Sequence, residues 1–346
     1  MKHTYQKLLQ ISLLSLILTG CQSLSSETGG KTELPSEKPV ESTSIMSDKK
    51  TEEVTDSPFE SDTSSATEEE KTEVKTEDVT LPPVTEEVTE SLPPDTEGET
   101  IPWDIPSYYA GKVDFTLRNA DLKTSLFHAI SSHTNIGYNG LWNAYLSTDL
   151  RDDGTIWDMY SNCSFTPGND KCGNYSREGD CYNREHTIPQ SVFNEAAPMK
   201  ADLFHVYPTD GKINGNRSNY PHAEVSSPAS MNDNPSSNGS MLGESKTPGV
   251  TGKVFEPVDE YKGDFARTYF YFVTCYQDKM TSMNNYACFS KNTYPSLSSW
   301  AITLYKQWSI DDPVSQKEID RNEAVYQIQH NRNPFIDFPG IESYIW

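Results

Sequence analysis

The sequence is poor in positive charge, has no closely spaced cysteine pair, and has no apolar run long enough to span a bilayer. Its 28 Lys and Arg face 51 Asp and Glu, a formal net charge of −23. That balance excludes a coat-like protein that wraps nucleic acid with an extended basic surface. It leaves room for an enzyme that grips a polyanion in one local groove. The six cysteines include no Cys-x-x-Cys pair, so zinc-ribbon chemistry has no ligand set. The apolar run Leu8–Leu18 falls short of the ~20 residues of a membrane-crossing helix.

What is present divides the chain in three. Lys2 and Lys7 precede Leu8–Leu18, and Leu18-Thr19-Gly20-Cys21 follows, so residues 1–20 read as a signal peptide. The Leu-Thr-Gly-Cys ending resembles a bacterial lipobox, which makes Cys21 the expected lipidated residue; an ordinary signal peptide with an incidental Cys is the plainer alternative. Residues 21–104 form an acidic linker rich in Thr, Glu, Ser and Pro, and Gln22 to Ile105 alone carries 23 acidic and 6 basic residues. Such a segment buries too little apolar surface to offset its ordering entropy, so a disordered, self-repelling stalk is expected. Residues 105–346 are then the folded domain, only mildly acidic, with order beginning near Trp103 to Tyr109. The sequence predicts an extracytoplasmic monomer held to a membrane through Cys21.

Within the folded part the apolar spacing predicts helices over Ala120–His133, around Leu141–Leu146, over Phe265–Tyr276 with Asp264 as cap, and over Trp300–Trp308. Ser315 and Glu318 form a capping-box pair for a last helix reaching about Gln329, with Val314 against Ile319 as its staple. Thr155–Tyr160 reads as a short strand, and the Pro/Gly/Ser/Asn-rich stretch 226–252 as a loop. Cys163, Cys172 and Cys181 are spaced nine apart, and one loop-closing disulfide among them is expected in an exported protein, connectivity open. Helices dominate a single domain with few strands.

The candidate chemistry is packed into Asp180–Glu224. Arg184, Glu185 and His186 stand side by side, and Asn214-Gly215-Asn216-Arg217-Ser218-Asn219 follows after one crossing segment. Hydrolysing a phosphodiester requires a base that works near neutral pH, which suits His. It also requires charge neutralisation, which a hard cation held by few oxygen ligands supplies. Neighbours on a regular strand point to opposite faces, so Glu185 and His186 share a site only if the strand ends there, and Ile188-Pro189 interrupts it. Asn214 supplies a second oxygen ligand, and Gly215 allows close approach. Asp210-x-x-x-Asn214-Gly215 is not an EF-hand, because Lys212 and Pro221 occupy ligand positions. Arg217 is a candidate for phosphate contact or transition-state stabilisation.

Asn183-Arg184-Glu185-His186-Thr187-Ile188-Pro189-Gln190-Ser191, Asp202 to Asp210, and Asn214 to Tyr220 closely resemble the bacterial endonuclease I family of secreted and periplasmic nucleases. The resemblance runs from about Tyr108 to Trp346, through Asp259–Tyr276 and Arg332–Asp337. It implies an α+β domain, mostly helical, around a ββα-metal core. It further implies one Mg²⁺ (Mn²⁺ or Ca²⁺ as substitutes), DNA cleavage with little sequence preference, often RNA cleavage too, and 5′-phosphate ends. On this resemblance His186 is the general base, and Glu185 and Asn214 hold the cation. There are three departures: Lys200 stands where some relatives have an acidic residue, Phe204 stands where others have His, and Ser191–Ala201 lacks the catalytic Arg that periplasmic members place between the motifs. That role moves to Arg217 or Arg184.

Each residue also has a blander reading. His205 is either a support for the site or a buried structural His. Asn219 braces the loop or meets nucleic acid, and Arg332 either lines a nucleic-acid groove or packs a helix end. His222 and His330 read as structural or exposed rather than catalytic. Three functions follow: a surface-tethered endonuclease on DNA and RNA, an extracellular ribonuclease, or a nucleic-acid-binding lipoprotein on a decayed nuclease fold. Intact Glu185, His186 and Asn214 weigh against the third.

Overall fold

Helix α4, Lys262–Cys275, is the element on which the rest packs. Every residue from Gly263 to Cys275 is buried, as expected for a helix whose Phe265, Tyr269, Phe270, Tyr271 and Phe272 leave it no polar face. Its Arg267 is held by a two-pronged pair with Glu318, Nε to Oε1 at 2.6 Å and Nη2 to Oε2 at 2.8 Å, so the buried charge is matched in geometry as well as sign. The computed structural model describes residues 102–346. Signal peptide, Cys21 and almost all of the linker lie outside the described residues. Trp103, on the linker side of the expected 104/105 boundary, packs edge-on against Phe338 and Tyr344.

Helices α1 (Asn119–Ile130) and α5 (Ser299–Asp311) pack against α4, and α2 (Leu141–Thr148) packs against α6 (Gln316–Gln329). The Ser315–Glu318 capping box is formed in full, although Ile319 is 46% exposed and contributes little as a staple. Short α7 (Pro334–Asp337) is capped by Asn333. Asp264 lies inside the first turn of α4 rather than capping it, because a 3₁₀ turn at Asp259–Tyr261 runs straight into the helix. No helix of the described residues is long and apolar enough to cross a membrane.

Two small antiparallel sheets make the molecule α+β. Strands β1 (Tyr182–His186) and β2 (Val206–Asp210) pair in register from Tyr182↔Asp210 to His186↔Val206. Helix α3 (Gly211–Arg217) follows β2 at once. Asp210 makes that switch: its Oδ1 accepts from the backbone N–H groups of Lys212 and Ile213, satisfying donors the first helical turn leaves open. The second sheet, β3 (Val225–Pro228), β4 (Met241–Ser245) and β5 (Lys253–Glu256), in that order, corrects the expected loop over 226–252. Its turn-rich composition belongs to the connections, and Gly243 on β4 fits because a Cβ there would meet the Ser227 carbonyl oxygen. Thr155–Tyr160 is not a strand; it contributes one bridge, Leu150↔Ile156.

Candidate active site

The hairpin and α3 bring Arg184, Glu185, His186, Asn214, Arg217 and Asn219 to one cleft of about 130 Å³, together with Pro189, Gln190, Ser191 and Ser218. Strand β1 ends at His186, and this ending lets two sequence neighbours reach the same cleft. A larger cleft of about 240 Å³, lined in part by Trp157, Tyr207, Lys317 and Arg321, lies elsewhere. Its cations are engaged: Lys317 by Asp264, and Arg321 by Asp149 and the Leu203 carbonyl.

Glu185 is 1% exposed, and one of its oxygens is held by a closed ring of side chains, all buried except the half-buried Tyr286. Arg217 Nη1 donates to Glu185 Oε1 at 2.6 Å, and the Tyr160 hydroxyl donates to the same oxygen at 2.9 Å. Tyr160 also meets His222 Nε2 at 2.7 Å, His222 Nδ1 meets Tyr269 at 3.0 Å, Tyr269 meets Tyr286 at 3.0 Å, and Arg217 Nη2 donates to Tyr286 at 3.3 Å. A carboxylate only accepts, so the proton order around the ring follows. Arg217 gives to Tyr286, Tyr286 to Tyr269, Tyr269 to His222 Nδ1, and His222 Nε2–H to Tyr160, which gives to Glu185. The order requires a neutral His222, and burial holds its pKa well below the usual histidine value. Burial also raises the Glu185 carboxyl, while Arg217 and Tyr160 pull it back down. Among the described residues the second oxygen, Oε2, accepts no protein hydrogen bond.

His186 is buried, and its Nε2 lies 3.1 Å from the Lys200 carbonyl. A carbonyl accepts only, so Nε2 carries the hydrogen and the lone pair is on Nδ1. Desolvation, then the nearby His205, depress its pKa to about 3, so the ring is neutral at physiological pH. Asn214 donates from Nδ2 to Asn183 Oδ1 at 2.6 Å, which orients its amide and leaves Oδ1 uncommitted. Gly215 seats Tyr175 of the Cys172–Cys181 disulfide loop against α3; a Cβ at Gly215 would stand 2.5 Å from the Tyr175 hydroxyl. Cys163, Cys275 and Cys288 are free.

The two arginines differ sharply. Arg217, 1% exposed, directs all five of its N–H groups at protein: Glu185, Tyr286, and the carbonyls of Tyr220, His186 and Thr187. No donor remains for a phosphate, which corrects the expected phosphate-contact role. Arg184 lies between two rings, its guanidinium carbon 3.4 Å from the Tyr138 centroid and 4.4 Å from that of Trp142. It donates once, to the Tyr138 carbonyl. Ser218 adopts φ 52°, ψ −125° in the tight turn that closes with Tyr220 N–H on the Arg217 carbonyl, an uncommon backbone state for a non-glycine residue.

Two expected site residues do not line the cleft. His205 is fully buried beneath it, its ring centroid 5.8 Å from that of His186 and 4.9 Å from that of Phe272, with Nε2 2.6 Å from the Met199 carbonyl. Arg332 is taken up by Asp337, through Nε at 2.9 Å and Nη2 at 2.8 Å, and by Glu323. It packs the end of α6, the plainer of its two readings. Among the described residues, His133, Asp202 and Cys275 bring three potential ligand atoms within 4.8 Å of one another. Asp202 is already satisfied by the hydroxyls of Tyr271 and Tyr276, the Gln329 amide and the Phe204 N–H. None of the three lines the cleft. Sequence reasoning missed Tyr160, Tyr269, Tyr286 and Asn183. Of these only Asn183 lies inside the site motifs, so only it had a local signal.

A neutral histidine, a carboxylate with one open oxygen, an oriented amide and a partly free arginine around a small polar cleft are the equipment of a hydrolytic enzyme. The chain belongs to the endonuclease I family, whose model, Endonuclease I, matches residues 119–340, and it is a nuclease. Among its relatives, an extracellular ribonuclease of Bacillus amyloliquefaciens is 34% identical over 234 residues, 65% of this chain and 73% of the relative. An extracellular ribonuclease of Bacillus subtilis (strain 168) is 32% identical over 252 residues, 70% of this chain and 79% of the relative. A periplasmic deoxyribonuclease of Aeromonas hydrophila is 25% identical over 156 residues, 44% and 53% of the two chains.

Proposed function

We propose that this protein is an extracytoplasmic endonuclease that hydrolyses RNA and DNA without reading sequence, leaves 5′-phosphate ends, and is tethered through a lipid on Cys21. The observation that carries this reading is the division of labour at Glu185: the ring takes Oε1, Oε2 accepts no protein hydrogen bond, and Glu185 lines the cleft with Asn214 and His186. Two uncommitted oxygens, Glu185 Oε2 and Asn214 Oδ1, suit a hard cation such as Mg²⁺, with Mn²⁺ or Ca²⁺ as alternatives. When bound, the cation neutralises charge that develops on the phosphate and on the leaving oxygen.

The chain's own residues do the rest. His186 Nδ1 takes a proton from water as the water oxygen attacks phosphorus and the bond from phosphorus to the 3′ oxygen breaks. The Lys200 carbonyl keeps the ring in the tautomer this requires. Arg184, stiffened between two rings, offers its remaining N–H groups to the non-bridging oxygens. Arg217 holds Glu185 and the strand end in place. Phosphate contact without base-edge contact gives sequence tolerance. RNA is included because two relatives above 30% identity are named ribonucleases, and DNA because other relatives are named deoxyribonucleases. The tether rests on Leu18–Cys21.

The test is degradation of plasmid DNA and of total RNA by the full chain with Mg²⁺, with EDTA, and as His186→Ala. Cleavage that needs the cation and drops at least ~100-fold in the variant is expected, and the two rates rank the substrates. Folded wild-type protein that cuts neither substrate with Mg²⁺, Mn²⁺ or Ca²⁺ sinks this reading and leaves a binding lipoprotein in its place.

A further inference from the structure

Lys200 lends the chemistry above only its backbone carbonyl, yet its ammonium and the guanidinium of the cleft's Arg184 lie against the same ring, that of Tyr138. Its carbonyl lies 3.1 Å from His186 Nε2, which pins its backbone beside the base. Its ammonium lies 5.0 Å from the Tyr138 centroid and pairs with Glu195. Tyr138 therefore carries a cation from each of two segments, Arg184 at 3.4 Å and Lys200 at 5.0 Å, which puts the two at most about 8.4 Å apart.

We propose that Lys200 is a second phosphate-binding side chain, engaging the phosphate next to the scissile one, and that Tyr138 is the positioning residue that holds Lys200 and Arg184 as a pair. This rests on the nuclease reading. Charge balance at the cleft singles out Lys200. Glu185 is already matched by Arg217, so no buried anion needs the lysine. Its partner Glu195 is 62% exposed, and the Lys200 side chain is 27% exposed. Such surface pairs contribute little and are screened by salt. A carboxylate thus stands where a phosphate oxygen would, in a contact weak enough for a polyanion to displace. Along one strand the charges recur every ~3.4 Å of rise, so two cations this close meet phosphates near each other in sequence. The lysine is a point charge on a flexible stem, suited to following a backbone without reading bases.

The test is fluorescence anisotropy of a short labelled single-stranded oligonucleotide with the full chain, in EDTA so that nothing is cut, across a salt series. Lys200→Gln is expected to bind about threefold to tenfold more weakly, with the slope of log affinity against log salt shallower by ~0.7. Glu195→Gln removes the competing carboxylate and binds more tightly than wild type. Tyr138→Leu keeps both charges but loses their placement, and weakens binding by at least as much as Lys200→Gln. A lysine that serves only the fold lowers the urea midpoint on substitution and leaves the slope alone. That result, in a wild type that cleaves, overturns the proposal while the nuclease reading stands. Wild-type protein that neither binds nor cleaves overturns both.

Discussion

Replacing Tyr160 with Phe removes one oxygen atom and breaks the ring at its contact with Glu185. Two bonds go: the 2.9 Å donation to Glu185 Oε1 and the 2.7 Å contact with His222 Nε2. The first is charge-assisted, and the second leaves a buried N–H without an acceptor, so stability falls by about 2–4 kcal/mol. On the proposed function, the larger consequence is for the cation that Glu185 would hold. Tyr160 lowers a Glu185 carboxyl that burial has already raised; without it a proton competes better for the carboxylate, and the carboxylate is oriented by Arg217 alone. Loss of such a supporting contact typically weakens metal binding by ~10–100-fold. The assay is initial cleavage rate against Mg²⁺ concentration at fixed pH. The half-saturating concentration is expected to rise by that factor, with most of the wild-type rate recovered at saturation, because Tyr160 touches neither substrate nor cation. A variant with a lowered urea midpoint but a half-saturating Mg²⁺ within about twofold of wild type refutes the ring as support for Glu185.

Arg217→Met leaves Glu185 buried without its cation and strips hydrogen bonds from three carbonyls, so it is expected to cost ~3–5 kcal/mol in urea unfolding; a loss under ~1 kcal/mol contradicts the assignment of Arg217 to the fold. His205 ties stability to pH. Its pKa is about 4 in the folded chain against an ordinary 6.5, with burial as the first cause. The unfolded chain therefore takes up a proton between those values that the folded chain does not. This contribution is fully present above about pH 6.5 and is lost as pH falls toward 4. His205→Gln cannot take up that proton, so the stability difference between wild type and variant shifts against wild type by up to ~3 kcal/mol over that window. Urea midpoints at stepped pH measure it, and parallel curves refute it.

Where the pattern is local, the sequence carries the structure. The apolar stripes of α1 and α5 and the Ser315–Glu318 box needed only residues three or four apart, and the ending of β1 before Pro189 needed only its neighbours. The three-stranded sheet was hidden because its strands are four or five residues long, set in Ser, Gly, Pro and Asn that obey turn preferences. Thr155–Tyr160 misled in the opposite sense. Its β-prone residues are used singly: Ile156 fills the core, and Tyr160 turns toward Glu185.

Arg217 shows how far a motif reaches. Its place in Asn214–Asn219 brought it correctly to the cleft, and an arginine beside a histidine and a carboxylate invites a catalytic role. Whether its donors face substrate or protein is decided by Tyr286 and the carbonyls of residues 186, 187 and 220, which the motif does not encode. Arg184, in the same motif, is left partly free because the rings of Tyr138 and Trp142 hold it, with one N–H on the Tyr138 carbonyl and the others uncommitted. The two can be separated by one substitution each. Arg184→Lys keeps a charge in the cleft and is expected to lose mainly cleavage rate, whereas Arg217→Lys cannot reproduce five directed donors and is expected to lose mainly stability in urea unfolding.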